Sequence, residues 1–143
     1  MSFHDDFVLQ LRADLAQALQ LPAAAVYAGR QPQKVTRTGL EVWVRPLEVE
    51  PHGRGGGDQV KVRPYEVHVR LKERREQSQT GAEQLDRVRA ALDLLGGRYD
   101  GARPFAPALP DLLALQVEEG SVDHDAGEDD VLEGTLVLRA LER

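Results

Sequence analysis

The chain of 143 residues contains no cysteine. That excludes a disulfide framework, a thiolate zinc site, an iron–sulfur cluster and a cysteine nucleophile. Aromatic side chains are scarce, at 5%, which leaves few platforms on which nucleic-acid bases could stack. Basic residues are in deficit: the formal net charge is −6, a balance that argues against general nucleic-acid binding. No RNP motif or helix-turn-helix pattern appears. Nor does any apolar run approach the ~18–20 residues of a membrane span. The first residues, MSFHDDF, are acidic where a signal peptide would be basic, so the expectation is a soluble, intracellular protein. Serine is represented only by Ser2, Ser78 and Ser121, without a G-x-S-x-G elbow. What is present is ordinary for a globular chain, with 41% hydrophobic and 29% charged residues. This length suffices for a core without staples.

The charge is segregated. Residues 116–143 carry nine acids (Glu118, Glu119, Asp123, Asp125, Glu128, Asp129, Asp130, Glu133, Glu142) against Arg139 and Arg143, a balance of −7. Residues 30–75 carry eleven bases against six acids, or +5. Two readings stay open. Folding mixes the two segments within one chain, or they present complementary fields to partners.

Phe3, Phe7, Leu11 and Leu15 form an i, i+4 ladder that predicts a helix over the first twenty residues, with Ser2 as N-cap and Leu21-Pro22 as its end. Residues 25–28 read as a brief strand and 30–38 as a loop. Leu40, Val42 and Val44 then alternate with polar residues and Trp43, and Tyr65, Val67, Val69 and Leu71 alternate likewise. An antiparallel register that sets Leu40 against Leu71 and Val44 against Val67 also sets Val49 against Val62, so residues 39–72 read as one long hairpin. Carried through unbroken, that register places Leu47, Val49 and Val62 on the face opposite the base. Either a bulge near Pro46 and Pro64 re-aims the outer half, or this half meets another subunit. The linking segment 51–59 is glycine-rich and reads as a mobile tip. It lacks the GxxxxGK[ST] pattern of a phosphate loop.

Thr80 and Glu83 form a capping box for a second helix carrying Leu85, Val88, Leu92 and Leu95, with Gly96-Gly97 as its stop. Leu113, Leu115 and Val117 alternate as a strand, residues 118–130 form an acidic link, and 131–141 read as a last strand. The expectation is one α+β domain over 1–143: an antiparallel or mixed sheet with a long central β-hairpin (about 39–72), and two main helices packed on one face.

Candidate chemistry is thin. Asp123, Asp125 and Asp129 alternate as calcium ligands would, yet Gly127 and Glu128 break the EF-hand pattern, so no metal and no cofactor is expected. The four histidines, His4, His52, His68 and His124, show no ligand spacing. His68 lies on the polar parity of its strand. Asp123-His124-Asp125 near Ser121 is the only arrangement that suggests a hydrolase, and it lacks a motif. Glu48 and Glu50 read as cross-strand charge partners of Arg45, Lys61 and Arg63. The expectation is that the protein is not an enzyme.

The order of elements (an amphipathic helix, a protruding hairpin with PYEVHVRL on its return strand, the capped helix TGAEQLDRVRAALDLLGG, and two closing strands) resembles the tail terminator, or tail-completion, proteins of long-tailed bacteriophages and related prophage or gene-transfer particles. The resemblance spans nearly the whole chain and rests on no diagnostic motif. It implies a structural virion protein, assembled in the bacterial host cytoplasm. Its subunits would form a homohexameric ring that caps the tail tube and joins it to the head-connector protein. DNA would pass through the lumen without specific binding, and no membrane is involved. On this reading the interface comprises Leu47, Val49, Val60 and Val62 with Arg45, Arg54 and Arg63, and Asp123, Asp125, Asp129 and Asp130 form an acidic docking loop. The competing expectation is a monomeric or dimeric adaptor or chaperone domain that binds a partner through the hairpin edge.

Overall fold

The Ser2 hydroxyl accepts a hydrogen bond from the Asp5 amide (3.2 Å) and opens helix α1 (Phe3–Ala18). Asp5 and Asp6 in the first turn complement the helix dipole. Phe7, Leu11 and Leu15 are fully buried along one stripe, and Gln20, at φ 55, turns the chain out of the helix before Pro22. The structure, a computed structural model, describes residues 2–32, 34–35, 39–52, 60–72, 82–102, 105, 108–118, 120–124 and 131–143.

A 3-10 turn (Ala23–Ala25) leads to β1 (Val26–Ala28). There follow β2 (Gly39–Pro46), β3 (Glu50–His52), β4 (Val60–Lys72), α2 (Ala82–Tyr99), β5 (Leu112–Glu118), β6 (Val122–His124) and β7 (Val131–Glu142). The sheet order is β1-β2-β4-β7-β5, with β3 continuing beside the outer part of β4 and β6 beside β7. Only β1 and β2 run parallel, so the sheet is mixed and open. The long strands β4 and β7 form its centre, pairing without interruption from Lys61↔Glu142 to Lys72↔Val131.

Both helices cover one face. Phe7, Leu11 and Leu15 from α1 join Ala91, Leu95 and Tyr99 from α2 over Val42, Val44, Val67, Val69, Leu136 and Leu138 in one apolar cluster. Burying such a set is the main drive to fold, at roughly 1.5–3 kcal/mol per large aliphatic or aromatic side chain. Asp14 ties the helices together at their rim. Its carboxylate accepts from the Arg98 guanidinium (2.6 and 2.7 Å) and the Tyr99 hydroxyl (2.5 Å).

Several expectations need correction. Gly96-Gly97 does not stop α2, which continues to Tyr99. Each helical glycine costs about 1 kcal/mol relative to alanine, and burial of the Tyr99 ring with its bond to Asp14 offsets that. The acidic link is not all loop, because β6 pairs Val122 with Gly134 and His124 with Leu132. In β5, Leu113 falls at an irregularity between Leu112 and Ala114, so the buried pair is Leu112 and Leu115. Thr80 of the capping box lies outside the described residues.

Candidate assembly surface

The base of the hairpin pairs as the parity demands, from Gly39↔Lys72 to Pro46↔Tyr65. Beyond it the register shifts by one. Glu50, not Val49, pairs with Val62, so residues 47–49 oppose only 63 and 64. The cause is local. The Leu47 amide donates to the Pro64 carbonyl (3.0 Å), and Pro64 has no N–H to return the bond, so the ladder breaks there and a bulge forms. Of the two ways to re-aim the outer half, the bulge is the one present.

The bulge decides where the expected interface residues go. Val62 is 4% exposed and thus covered within the chain, while Leu47 and Val60 are half-buried. Val49, thrown out by the bulge, is 44% exposed. Arg45 pairs with Glu66 (3.1 Å). Arg63 pairs with Glu142 (2.5 Å) and lies over the Phe3 ring (5.7 Å). The expected pairing of Glu50 with Arg45, Lys61 or Arg63 is therefore replaced. The shifted register turns Glu50 toward Arg139 (3.5 Å), which also holds Glu118 (2.9 Å). Leu47, Glu48, Arg30 and Arg45 line a cleft of about 320 Å³ at the ribbon's root. Arg54, Asp125, Asp129 and Asp130 lie outside the described residues, as do the side chains of Asp123 and His124.

The face away from the helices carries a network that parity alone does not disclose. His68 is 7% exposed, Glu41 6% and Arg70 3%. The His68 ring stacks on Trp43 (4.4 Å between centroids), whose indole N–H donates to the Gly29 carbonyl (2.9 Å). His68 Nδ1 bonds Glu133 (2.8 Å), and Arg70 bridges Glu133 (3.1 Å) and the Tyr27 hydroxyl (3.1 Å). Burial raises the Tyr27 hydroxyl's pKa, with Glu41 acting in the same direction and Arg70 against it. Thr135 Oγ1 lies 3.2 Å from His68 Nδ1, the same nitrogen that meets Glu133. A catalytic relay needs the nucleophile and the carboxylate on opposite ring nitrogens. The carboxylate facing the opposite nitrogen, Glu66, lies 3.7 Å from Nε2, beyond hydrogen-bond distance. Among the described residues, no three acids, histidines or cysteines converge as metal ligands. No helix there is long and apolar enough to cross a membrane.

Sheet edges are where chains most readily join, and β1, β5 and β3 each have outward backbone groups that are taken up or missing. The outward Val26 carbonyl of β1 accepts from Arg12 Nε (3.2 Å) and Nη2 (2.9 Å). Along β5, the Gly101 amide donates to the Leu115 carbonyl (2.9 Å), the Leu115 amide to the Ala102 carbonyl (2.8 Å) and the Val117 amide to Asp100 Oδ1 (3.0 Å). In β3 the residue whose backbone groups alternate outward is Pro51, which has no donor.

On the β5–β6 flank, a cleft of about 560 Å³ opens between α2 and the sheet. Arg89, Asp93, Gly96 and Gly97 form its helical wall, and Val117 and Val122 line the sheet side. A Cβ added at Gly96 or Gly97 would meet nothing within 4 Å. The cleft has no precursor in the sequence pattern, because its wall is a glycine pair that reads as a helix stop.

No protein-family model matches the chain, and no curated protein matches it in sequence. Among solved structures, a chain from the virion of a native gene transfer agent (GTA) particle is similar, with a TM-score of 0.52 and 20% sequence identity. The likeness covers 94% of this chain and 90% of that one. The two chains therefore share one α+β fold along almost their whole length.

Proposed function

We propose that the chain is a structural protein of a phage-like virion and, more narrowly, a tail terminator. Six copies form a ring that caps the tail tube and presents a surface to the head connector, leaving a lumen for DNA. The observation that carries the reading is the fold shared, nearly end to end, with a chain of the GTA virion. The order of helix, long hairpin, second helix and closing strands supports the narrower role. The Nδ1 of His68 shared by Glu133 and Thr135, in place of a relay, fits a structural part better than a catalyst. Pro51 on the outer edge of β3 disfavours the competing adaptor reading, since a peptide added there meets a missing donor.

Negative-stain imaging of the purified chain, alone and mixed with tail-tube protein, tests the proposal. Closed rings, and rings seated on tube ends, are expected. Particles that stay single in both preparations contradict it.

A further inference from the structure

The blocked edges leave side-chain surfaces for contact between copies, and two of these lie on opposite flanks of the sheet. β4 and β7 separate the β3 ribbon on one flank from the α2/β5–β6 cleft on the other. A knob and a hole so placed cannot meet within one chain, and their opposite flanks suit a contact repeated in one direction from copy to copy. They meet head to tail, the contact that builds closed rings.

We infer that this cleft receives the bulged ribbon of a second copy of the same chain, with Val49 as the inserted side chain. The inference rests on the ring reading and adds its contact. Val49 is one of three large hydrophobic side chains exposed among the described residues, with Leu9 and Leu94. It alone lies in the bulge between β2 and β3. The cleft offers Val117 and Val122 as apolar floor, and its glycine wall lets another backbone come close. Charge agrees: Arg89 and Asp93 at the cleft rim form no ion pair among the described residues, and neither does Glu48 beside Val49. Insertion of Val49 brings Glu48 to the Arg89 side, where a desolvated pair sets register and direction.

The natural absence of cysteine makes the test direct. Val49→Cys and Asp93→Cys are prepared as separate proteins; both sites are exposed, and the second lies at the cleft rim without altering its glycine wall. Circular dichroism checks that both fold, and light scattering that both assemble as the native chain does. Under mild oxidation, the mixture is expected to give a reducible two-chain species that neither protein gives alone. The double variant should give a ladder ending at the ring. Charge reversal supplies a second readout. Arg89→Glu should raise the concentration needed for assembly roughly tenfold or more, and Glu48→Arg in the same chain should restore it. Variants that assemble normally yet give no 49–93 cross-link overturn this contact while leaving the virion reading intact. A native chain that stays monomeric, alone and with tail-tube protein, overturns both.

Discussion

All three tyrosines, Tyr27, Tyr65 and Tyr99, are held above the ordinary range of a phenol, in each case chiefly by burial. A group whose folded-state pKa is raised contributes stability that is complete below its unfolded value, near pH ~10, and is lost as pH rises through the folded value. Tyr65 and Tyr99, the more strongly shifted pair, are therefore expected to add no tyrosinate absorbance through the usual tyrosine range and to ionise only with alkaline unfolding. An early rise worth two or more tyrosines in the folded chain would contradict this. Asp14 has the opposite sign. Its hydrogen bonds from Arg98 and Tyr99 hold the carboxyl below the usual range, against the desolvation that raises it. Its contribution is present above the ordinary carboxylate pKa and is lost as pH falls through the depressed one. Asp14→Asn should cost about 1 kcal/mol at neutral pH, a figure reduced for solvent screening. It should also flatten the acid limb of stability, as denaturant unfolding between acid and neutral pH would record. Parity puts His68 on the polar side of its strand, the side that the structure shows it sharing with Arg70. It did not foretell their burial, which goes with the Trp43 ring stacked on His68 and with ion pairing across strands. Neither leaves a periodic trace.

Elements were legible wherever one face had to be covered. The i, i+4 ladder of α1, the alternation of β7 and the base register of β2 with β4 all follow from that demand. The outer hairpin was not, because its register turns on which side the missing N–H of Pro64 faces, and a parity count carries no such information. The end of α2 was misread for a related reason: glycine propensity is a weak signal against the burial of Tyr99. Glycines in the same packing layer therefore predict opposite outcomes. Gly96→Ala and Gly97→Ala should each raise stability by ~0.5–1 kcal/mol, since helix propensity improves and no contact is met. If the cleft is an interface, the same changes should weaken assembly. Gly134→Ala should lower stability by about 1–3 kcal/mol, since its Cβ would lie 2.6 Å from Val88 Cγ1 and 2.7 Å from Leu92 Cδ1. Thermal unfolding of the three variants distinguishes these signs.

At the scale of the molecule, the segregated charge is partly consumed inside the chain. β4, from the basic segment, lies beside β7, from the acidic one, and Arg63–Glu142 and Arg70–Glu133 join them. Complementarity between copies then falls to groups outside these pairs, and a whole-chain charge of −6 says little about it. A bulged ribbon and a cleft on opposite flanks of the sheet are the features on which the proposed assembly turns. The measurement that tests this most directly is the mass of the native chain in solution by light scattering across a wide concentration range, with and without tail-tube protein. The expected result is a closed species of six times the 15.8 kDa chain mass. A species that stays at one chain mass under every condition would contradict the account.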